Sequence, residues 1–187
     1  PGAMDTIIKF QNVDKAFGDH VILDGASLSI NKGETLTIIG GSGMGKSVFL
    51  KLLLGVVRPD SGEILFDGND ICEMGERRLA KMRRRIGMLF QGAALFDSLT
   101  VKENVAYPLR EHFEYSEDEI SDIVSKKLEM VGLPGIEVMM PADLSGGMKK
   151  RVGLARAIAT DPDVILYDEP TTGLDPANTK RICKLIT

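Results

Sequence analysis

Gly40-Gly41-Ser42-Gly43-Met44-Gly45-Lys46-Ser47 is the stretch on which the reading of this chain turns. It follows the apolar, β-type run Thr35-Leu36-Thr37-Ile38-Ile39 and opens onto Val48-Phe49-Leu50-Lys51-Leu52-Leu53-Leu54, which has helical patterning. Strand, glycine loop, helix is the context in which the P-loop pattern G-x-x-x-x-G-K-[ST] works. The glycines let the backbone curl so that successive N–H groups point into one hollow, where phosphate oxygens fit. A helix opening at about Gly45 adds its positive dipole end to that hollow. Lys46 then reaches the β- and γ-phosphates as a point charge, and the Ser47 hydroxyl is placed to ligate Mg²⁺. The bland alternative is a glycine turn between a strand and a core helix. The flanking elements favour a nucleoside triphosphate site over it.

The bulk composition narrows the surroundings of that site. The chain has 187 residues, enough for one domain with an inserted lobe. At 43% hydrophobic and 27% charged it has ordinary globular composition. Its net charge of −4 argues against a general nucleic-acid binder. No apolar run is long enough to span a bilayer, and nothing near the start resembles a signal peptide. Cys72 and Cys183 are too few and too isolated for a metal site or a disulfide framework, so they read as reduced thiols. Pro1-Gly2-Ala3-Met4 reads as a cloning remnant ahead of the native start.

Along the chain, Ile7–Val13 and Ser27–Ile30 read as strands, with Phe17 and the turn residues Gly18-Asp19 between them. An aromatic held just ahead of a phosphate site can stack on a purine; packing under a hairpin is the equal alternative. Arg58-Pro59-Asp60-Ser61-Gly62 is a turn cluster, and Glu63–Gly68 a short strand. Glu76–Arg85 is helical, and Arg83-Arg84-Arg85 reads as its solvated end. Ile86–Phe90 is a buried strand ending on Gln91. Thr100 begins a helix, Ser116-x-x-Glu119 is a capping box, and Ile120, Ile123, Val124, Leu128 and Val131 follow at helical spacing. Met130, Met139, Met140 and Met148 read as packing residues, and His20 and His112 as solvent-facing. Leu144-Ser145-Gly146-Gly147-Met148 opens another helix and makes a second anion-binding N-terminus. Val164–Tyr167 reads as a strand of a parallel sheet, delivering Asp168 and Glu169 at the edge where ligands of α/β sheets bind.

Gly40–Ser47, Gln91, Leu144–Met148, Asp168-Glu169 and Gly173-Leu174-Asp175, in that order, resemble the nucleotide-binding domain of ABC transporters. The resemblance covers about residues 5–187, and the LSGG signature marks this family among P-loop proteins. It implies an α/β fold: a P-loop NTPase core, RecA-like with a mostly parallel sheet, carrying N-terminal antiparallel β elements. The core would comprise 5–91 and 156–187, and a helical lobe about 92–155. It also implies a head-to-tail homodimer closing on two ATP molecules with Mg²⁺. By resemblance, Phe17 stacks on adenine, and Gly40, Gly41, Ser42, Gly43, Met44, Gly45, Lys46 and Ser47 hold the phosphates. Ser145, Gly146 and Gly147 face the γ-phosphate on the partner subunit, and Asp175 belongs to the nucleotide site. Ser47, Gln91 and Asp168 would serve Mg²⁺, and Glu169 would be the general base. Gln91 would also link the metal to a groove for a transmembrane permease.

The sequence departs from the family in having Met148 where Gln is commoner, and it ends before the family's switch histidine, so a C-terminally truncated chain is expected. Leu89–Val105, followed by Tyr107-Pro108-Leu109-Arg110, together with LSGGM running into Arg151–Arg156, looks like the ATPases of Mla-type systems. That resemblance implies phospholipid transport between bacterial membranes, at the cytoplasmic face of the inner membrane, with permease, MCE-domain and STAS-domain subunits and no nucleic acid. The older label for that group is toluene tolerance or organic-solvent resistance. One rival is a soluble ABC ATPase: the repair and chromosome forms need a long coiled coil where this chain has a compact lobe, and a translation factor carries two such domains. The apolar stretch Ala93–Leu99, taken as exposed, favours a membrane partner. A further rival is a binding module without turnover.

Overall fold

The computed structural model describes residues 5–34, 44–89 and 92–167, with Met44 and Tyr167 as backbone only. These residues fall into two compact units that divide between Arg83 and Arg84.

The first unit is built on an antiparallel sheet ordered β2-β1-β3-β4. Strands β1 (Thr6–Phe17) and β2 (His20–Asn31) form one long ribbon that turns at Gly18-Asp19, with Phe17 opposite His20. Both strands run further than the expected 7–13 and 27–30. Their outer parts, with Ala16 opposite Val21 and Lys15 opposite Leu23, are joined by the cross-strand ladder. The extra length is accommodated by register shifts in β1, including one at Asn12, whose φ is +47°. There the Asn12 N–H finds the Ser27 Oγ at 2.9 Å. Strand β3 (Ser61–Phe66) flanks β1 on its other side, and β4 (Asn69–Asp70) closes the edge.

Gly62 carries the close approach of β3 to β1. Its φ is +83°, and a Cβ there would stand 2.2 Å from the Asn12 carbonyl oxygen. Gly62→Ala should cost about 2 kcal/mol through strain and displaced backbone, read as a lowered urea midpoint. An unchanged midpoint would show that the turn relaxes freely.

Helix α1 (Met44–Leu53) packs on this sheet through Val48, Phe49, Leu52 and Leu53, which share one face. Phe49 stacks on Phe10 with centroids 4.6 Å apart. Its C-terminus closes in a Schellman arrangement, with Gly55 N–H on Leu52 O and Val56 N–H on Lys51 O. The next carbonyl, Leu54 O, accepts from Arg83 Nε at 2.8 Å, the last residue of α2 (Glu76–Arg83). Arg83 also pairs with Glu76 at 2.5 Å. The arginine run is therefore not a plain solvated end: Arg83 caps another helix, Arg85 pairs with Asp163 at 2.5 Å, and Arg84 is the exposed member.

In the second unit β5 (Ile86–Leu89) and β6 (Val164–Tyr167) pair in parallel, Ile86 opposite Val164 and Leu89 opposite Tyr167. The helical lobe contains α3 (Val101–His112), α4 (Glu117–Met130) and α5 (Gly146–Ile158). Val101, Val105 and Leu109 of α3 meet Ile120, Val124 and Leu128 of α4 and Val152 and Ala155 of α5 in one core. Capping boxes start two of the helices, Thr100 with Glu103 and Ser116 with Glu119. In each, the N-cap backbone N–H donates to the glutamate and holds its carboxyl below the usual carboxylate range. Met139 and Met148 pack against the lobe core and Met130 against a second cluster, so these methionines fill space as their type suggests. His20 and His112 are exposed. The expected strand at 35–39 lies outside the described residues.

Candidate functional site

Two helix N-termini carry candidate residues, one in each unit. At α1 the apolar face that buries Val48, Phe49, Leu52 and Leu53 turns Ser47 to solvent and leaves Lys46 half-buried in the first turn. No acidic residue lies in that turn to offset the positive end of the helix. Among the described residues, a Cβ on Gly45 would meet nothing within 4 Å.

At α5, Ser145 is the N-cap and its Oγ accepts the Met148 N–H at 3.1 Å. A hydroxyl that accepts in this way still has its O–H to donate. Ser145, Gly146 and Gly147 are all exposed, and the first turn again has no acidic residue. A Cβ on Gly146 or Gly147 would also meet nothing within 4 Å. Helical glycine costs about 1 kcal/mol relative to alanine, so two of them here are not explained by packing within the chain. Met148 is half-buried on the lobe core, which gives an apolar side chain at that position a packing role.

Phe17 ends β1 with 45% of its surface exposed, so the ring does not pack beneath the hairpin. The Lys15 ammonium lies 5.2 Å from its ring centroid. Lys15 in turn pairs with Asp60 at 2.6 Å, and the other Asp60 oxygen accepts the Ala16 N–H at 2.7 Å. The hydrogen bond from Lys15, then that from Ala16, holds the Asp60 carboxyl below its ordinary range. Asp14 is lowered likewise, by Ser61 Oγ–H first and the Gly25 N–H second. Sequence reading placed Asp60 only in a turn cluster and passed over Lys15. The short-range pattern has no signal for a contact between residues so far apart in sequence.

The segment after Gln91 was read as an exposed apolar stretch, and the structure divides it. Ala93 is buried against Gly153 of α5, where a Cβ on the glycine would stand 2.8 Å from the Ala93 Cβ. Leu95 and Leu99 are half-buried, and Phe96 is exposed beside the equally exposed Tyr107, with centroids 4.9 Å apart. Arg156 Nη2 donates to Ala93 O at 2.7 Å, and its guanidinium lies 5.6 Å from the Phe96 ring centroid. Cys72 is half-buried, and burial first, then the Asp70 carboxylate, pushes its thiol up to about 11. That makes it an unreactive thiol at neutral pH.

Gly40, Gly41, Ser42, Gly43, Gln91, Asp168, Glu169 and Asp175 lie outside the described residues, as does Cys183. Among the described residues no group of three His, Cys, Asp or Glu could hold a metal. An exposed serine hydroxyl in the first turn of α1 nevertheless fits Mg²⁺, which takes few protein ligands beside phosphates and water. No helix among the described residues is long and apolar enough to cross a membrane.

The family model described as ABC transporter matches residues 23–172. The chain belongs to this family. It is an ABC transporter ATPase domain. It is 49% identical over 180 residues to the intermembrane phospholipid transport system ATP-binding protein MlaF of Haemophilus influenzae, covering 96% of this chain and 68% of that protein. It is also 48% identical over 183 residues to the probable ribonucleotide transport ATP-binding protein mkl of Mycobacterium leprae. That match covers 98% of this chain and 53% of the other, so the chain spans about half the length of the mycobacterial relative. Among solved structures, cbiO1 from Clostridium perfringens, part of the ABC transporter complex cbiONQ, superposes with a TM-score of 0.84 at 34% identity. That superposition covers 97% of this chain and 72% of cbiO1. The dimeric post-hydrolysis structure of the ATP-binding cassette MJ0796, bound to ADP and Pi, gives 0.78 at 34% identity, over 96% and 81% of the two chains. The α/β fold read from the P-loop and its flanking elements is thus that of ABC ATPase cassettes.

Proposed function

We propose that this domain binds MgATP at α1 and hydrolyses it in a head-to-tail dimer that drives phospholipid transport between bacterial membranes. The single observation that carries the nucleotide reading is the N-terminus of α1, with Lys46 and Ser47 in a first turn that holds no acidic residue. In this reading Phe17 stacks on adenine, the 40–45 backbone and Lys46 hold the phosphates, and Ser47, Asp168 and Gln91 serve Mg²⁺. When bound, Mg²⁺ would offset the charge of the phosphates. Glu169 takes the proton of the attacking water, with Asp175 in the same site. Ser145, Gly146 and Gly147 of one subunit complete the site of the other, which supports closure as the coupling step. The core would be 5–91 with 156–187, and the lobe about 92–155.

The phospholipid reading rests on the likeness to MlaF, with a permease as the membrane partner and MCE-domain and STAS-domain subunits beyond it. Phe96 and Tyr107, both exposed, support a protein partner at the lobe, and the protein would sit at the cytoplasmic face of the inner membrane. The mycobacterial relatives, named for ribonucleotide transport at nearly the same identity, supply the rival cargo. Reconstitution with the co-purifying permease should move labelled phospholipid. Stimulation of hydrolysis by ribonucleotides in place of lipid would shift the cargo to the rival.

Lys46→Ala should weaken MgATP binding at least ~10-fold, about 1.4 kcal/mol, by calorimetric titration. Unchanged affinity would remove Lys46 from the phosphate site. Ser145→Arg should block closure on the ATP held by the partner. Mixed dimers of Ser145→Arg and Lys46→Ala chains put both lesions in one site and leave the other intact. They should therefore recover activity over either variant alone, whereas a site built within one subunit recovers none.

A further inference from the structure

We propose that Asp60 is a positioning residue for the nucleotide base, setting the Phe17 ring through Lys15 and the Ala16 amide. The inference rests on the reading of Phe17 as the base-stacking residue and names what holds that ring in place. Phe17 is the last residue before a two-residue turn, with nearly half its surface exposed, so packing alone does not fix it. Its backbone neighbour is tied instead: one Asp60 oxygen accepts the Ala16 N–H at 2.7 Å. The other accepts from Lys15 Nζ at 2.6 Å, and this lysine side chain is only 11% exposed, whereas that of Asp60 is 50% exposed.

The ammonium so held lies 5.2 Å from the Phe17 centroid, inside the ~6 Å range of cation–π contact. One carboxylate therefore fixes both the backbone beside the ring and the cation against it. Asp60 is itself anchored, its N–H donating to Asp14 O at 2.9 Å, while the Asp14 carboxylate accepts from Ser61 Oγ–H and from Gly25 N–H. The two aspartates strap the tip of the β1–β2 ribbon to the turn before β3. A cation against a ring draws electron density from it, which suits stacking on an electron-rich purine.

The test compares two probes on the whole chain: MgATP, and inorganic tripolyphosphate, which has the phosphates and no base. Asp60→Ala should weaken MgATP binding ~5-fold and leave tripolyphosphate within ~2-fold, because only the base contact is lost. Lys15→Met, which keeps the Ala16 bond, should give a smaller loss of the same kind and serves if Asp60→Ala folds poorly. In a Phe17→Ala background neither substitution should weaken MgATP further. Equal losses for both probes, or a loss that persists without Phe17, would overturn the assignment and leave base stacking intact. If Phe17→Ala itself leaves MgATP affinity unchanged, the stacking reading falls first and the positioning role with it.

Discussion

Glu169→Gln in the assembled dimer should retain ATP affinity and slow phosphate release ~100-fold or more, about 2.7 kcal/mol in the barrier. The substitution keeps shape and hydrogen-bonding reach but removes the group proposed to accept a proton from water. Binding, which in the proposed reading depends on the α1 N-terminus and Lys46, is left alone. The closed, ATP-bound dimer should therefore accumulate and be visible as a shift in size-exclusion elution with ATP. Asp168 and Glu169 follow directly on Tyr167, the last residue of β6, a strand that pairs in parallel with β5. The C-terminal end of a parallel sheet is where α/β enzymes hold their ligands. A variant that turns over at the parent rate would mean another group takes the proton.

Asn104→Leu should destabilise the helical lobe by about 3 kcal/mol, roughly a 100-fold loss in folding constant. Asn104 is fully buried in α3, and its side chain is bonded to the segment ahead of the helix. The two Nδ2 hydrogens are shared among Phe96 O at 3.1 Å, Leu99 O at 3.1 Å and Thr100 O at 3.0 Å, and Oδ1 accepts Phe96 N–H at 2.8 Å. A leucine fills the volume but takes the partner from Phe96 N–H and Leu99 O, while Phe96 O keeps the Leu99 N–H and Thr100 O the Asn104 N–H. Asn104→Asp is the informative control, having the same shape without the amide donors. It should be as damaging at neutral pH, because a buried carboxylate would face three carbonyls. It should partly recover as pH falls, since such a site raises the carboxyl pKa and protonation restores one donor. Urea midpoints for the three proteins at two pH values decide it. A loss below about 1 kcal/mol for the leucine variant would show that the segment at 96–100 is held by other contacts.

Elements whose chemistry is local were legible in the sequence. The Ser116–Glu119 box, the Ser145 cap and the strand at Val164–Tyr167 each rest on residues within a few positions of one another, and each is found. What escaped was made by contacts distant in sequence. Strands β1 and β2 run past the expected 7–13 and 27–30, where Asp14 binds Gly25 and Ser61 and Asp60 binds Ala16. Arg83 looked like a helix end facing water, but Leu54 O, twenty-nine residues earlier, takes its Nε–H. Ala93 looked exposed until Gly153 came against it. Of the candidate site, Phe17, Lys46, Ser47 and Ser145–Gly147 can be placed, at the end of β1 and at two helix N-termini. Lys15 and Asp60 had no pattern to announce them, since a cation beside a ring and a carboxylate beneath it leave no periodic trace.

Helix α5 and the loop after Gln91 are fastened together twice, one helical turn apart. Gly153 lies in contact with Ala93, and Arg156 grips the Ala93 carbonyl while its guanidinium lies beside Phe96. Gly92, Ala93 and Ala94 all have positive φ, a conformation that costs an alanine about 1–2 kcal/mol and so asks for an outside hold. Two rivets a turn apart stop a loop from sliding along a helix or swivelling about it. The helix and the loop then behave as a crank, with the signature residues Ser145–Gly147 at one end and Phe96 on the handle. In the proposed reading, a tilt imposed on the glycines by a phosphate would be felt at the aromatic pair, and a push on Phe96 would travel back along the same arm.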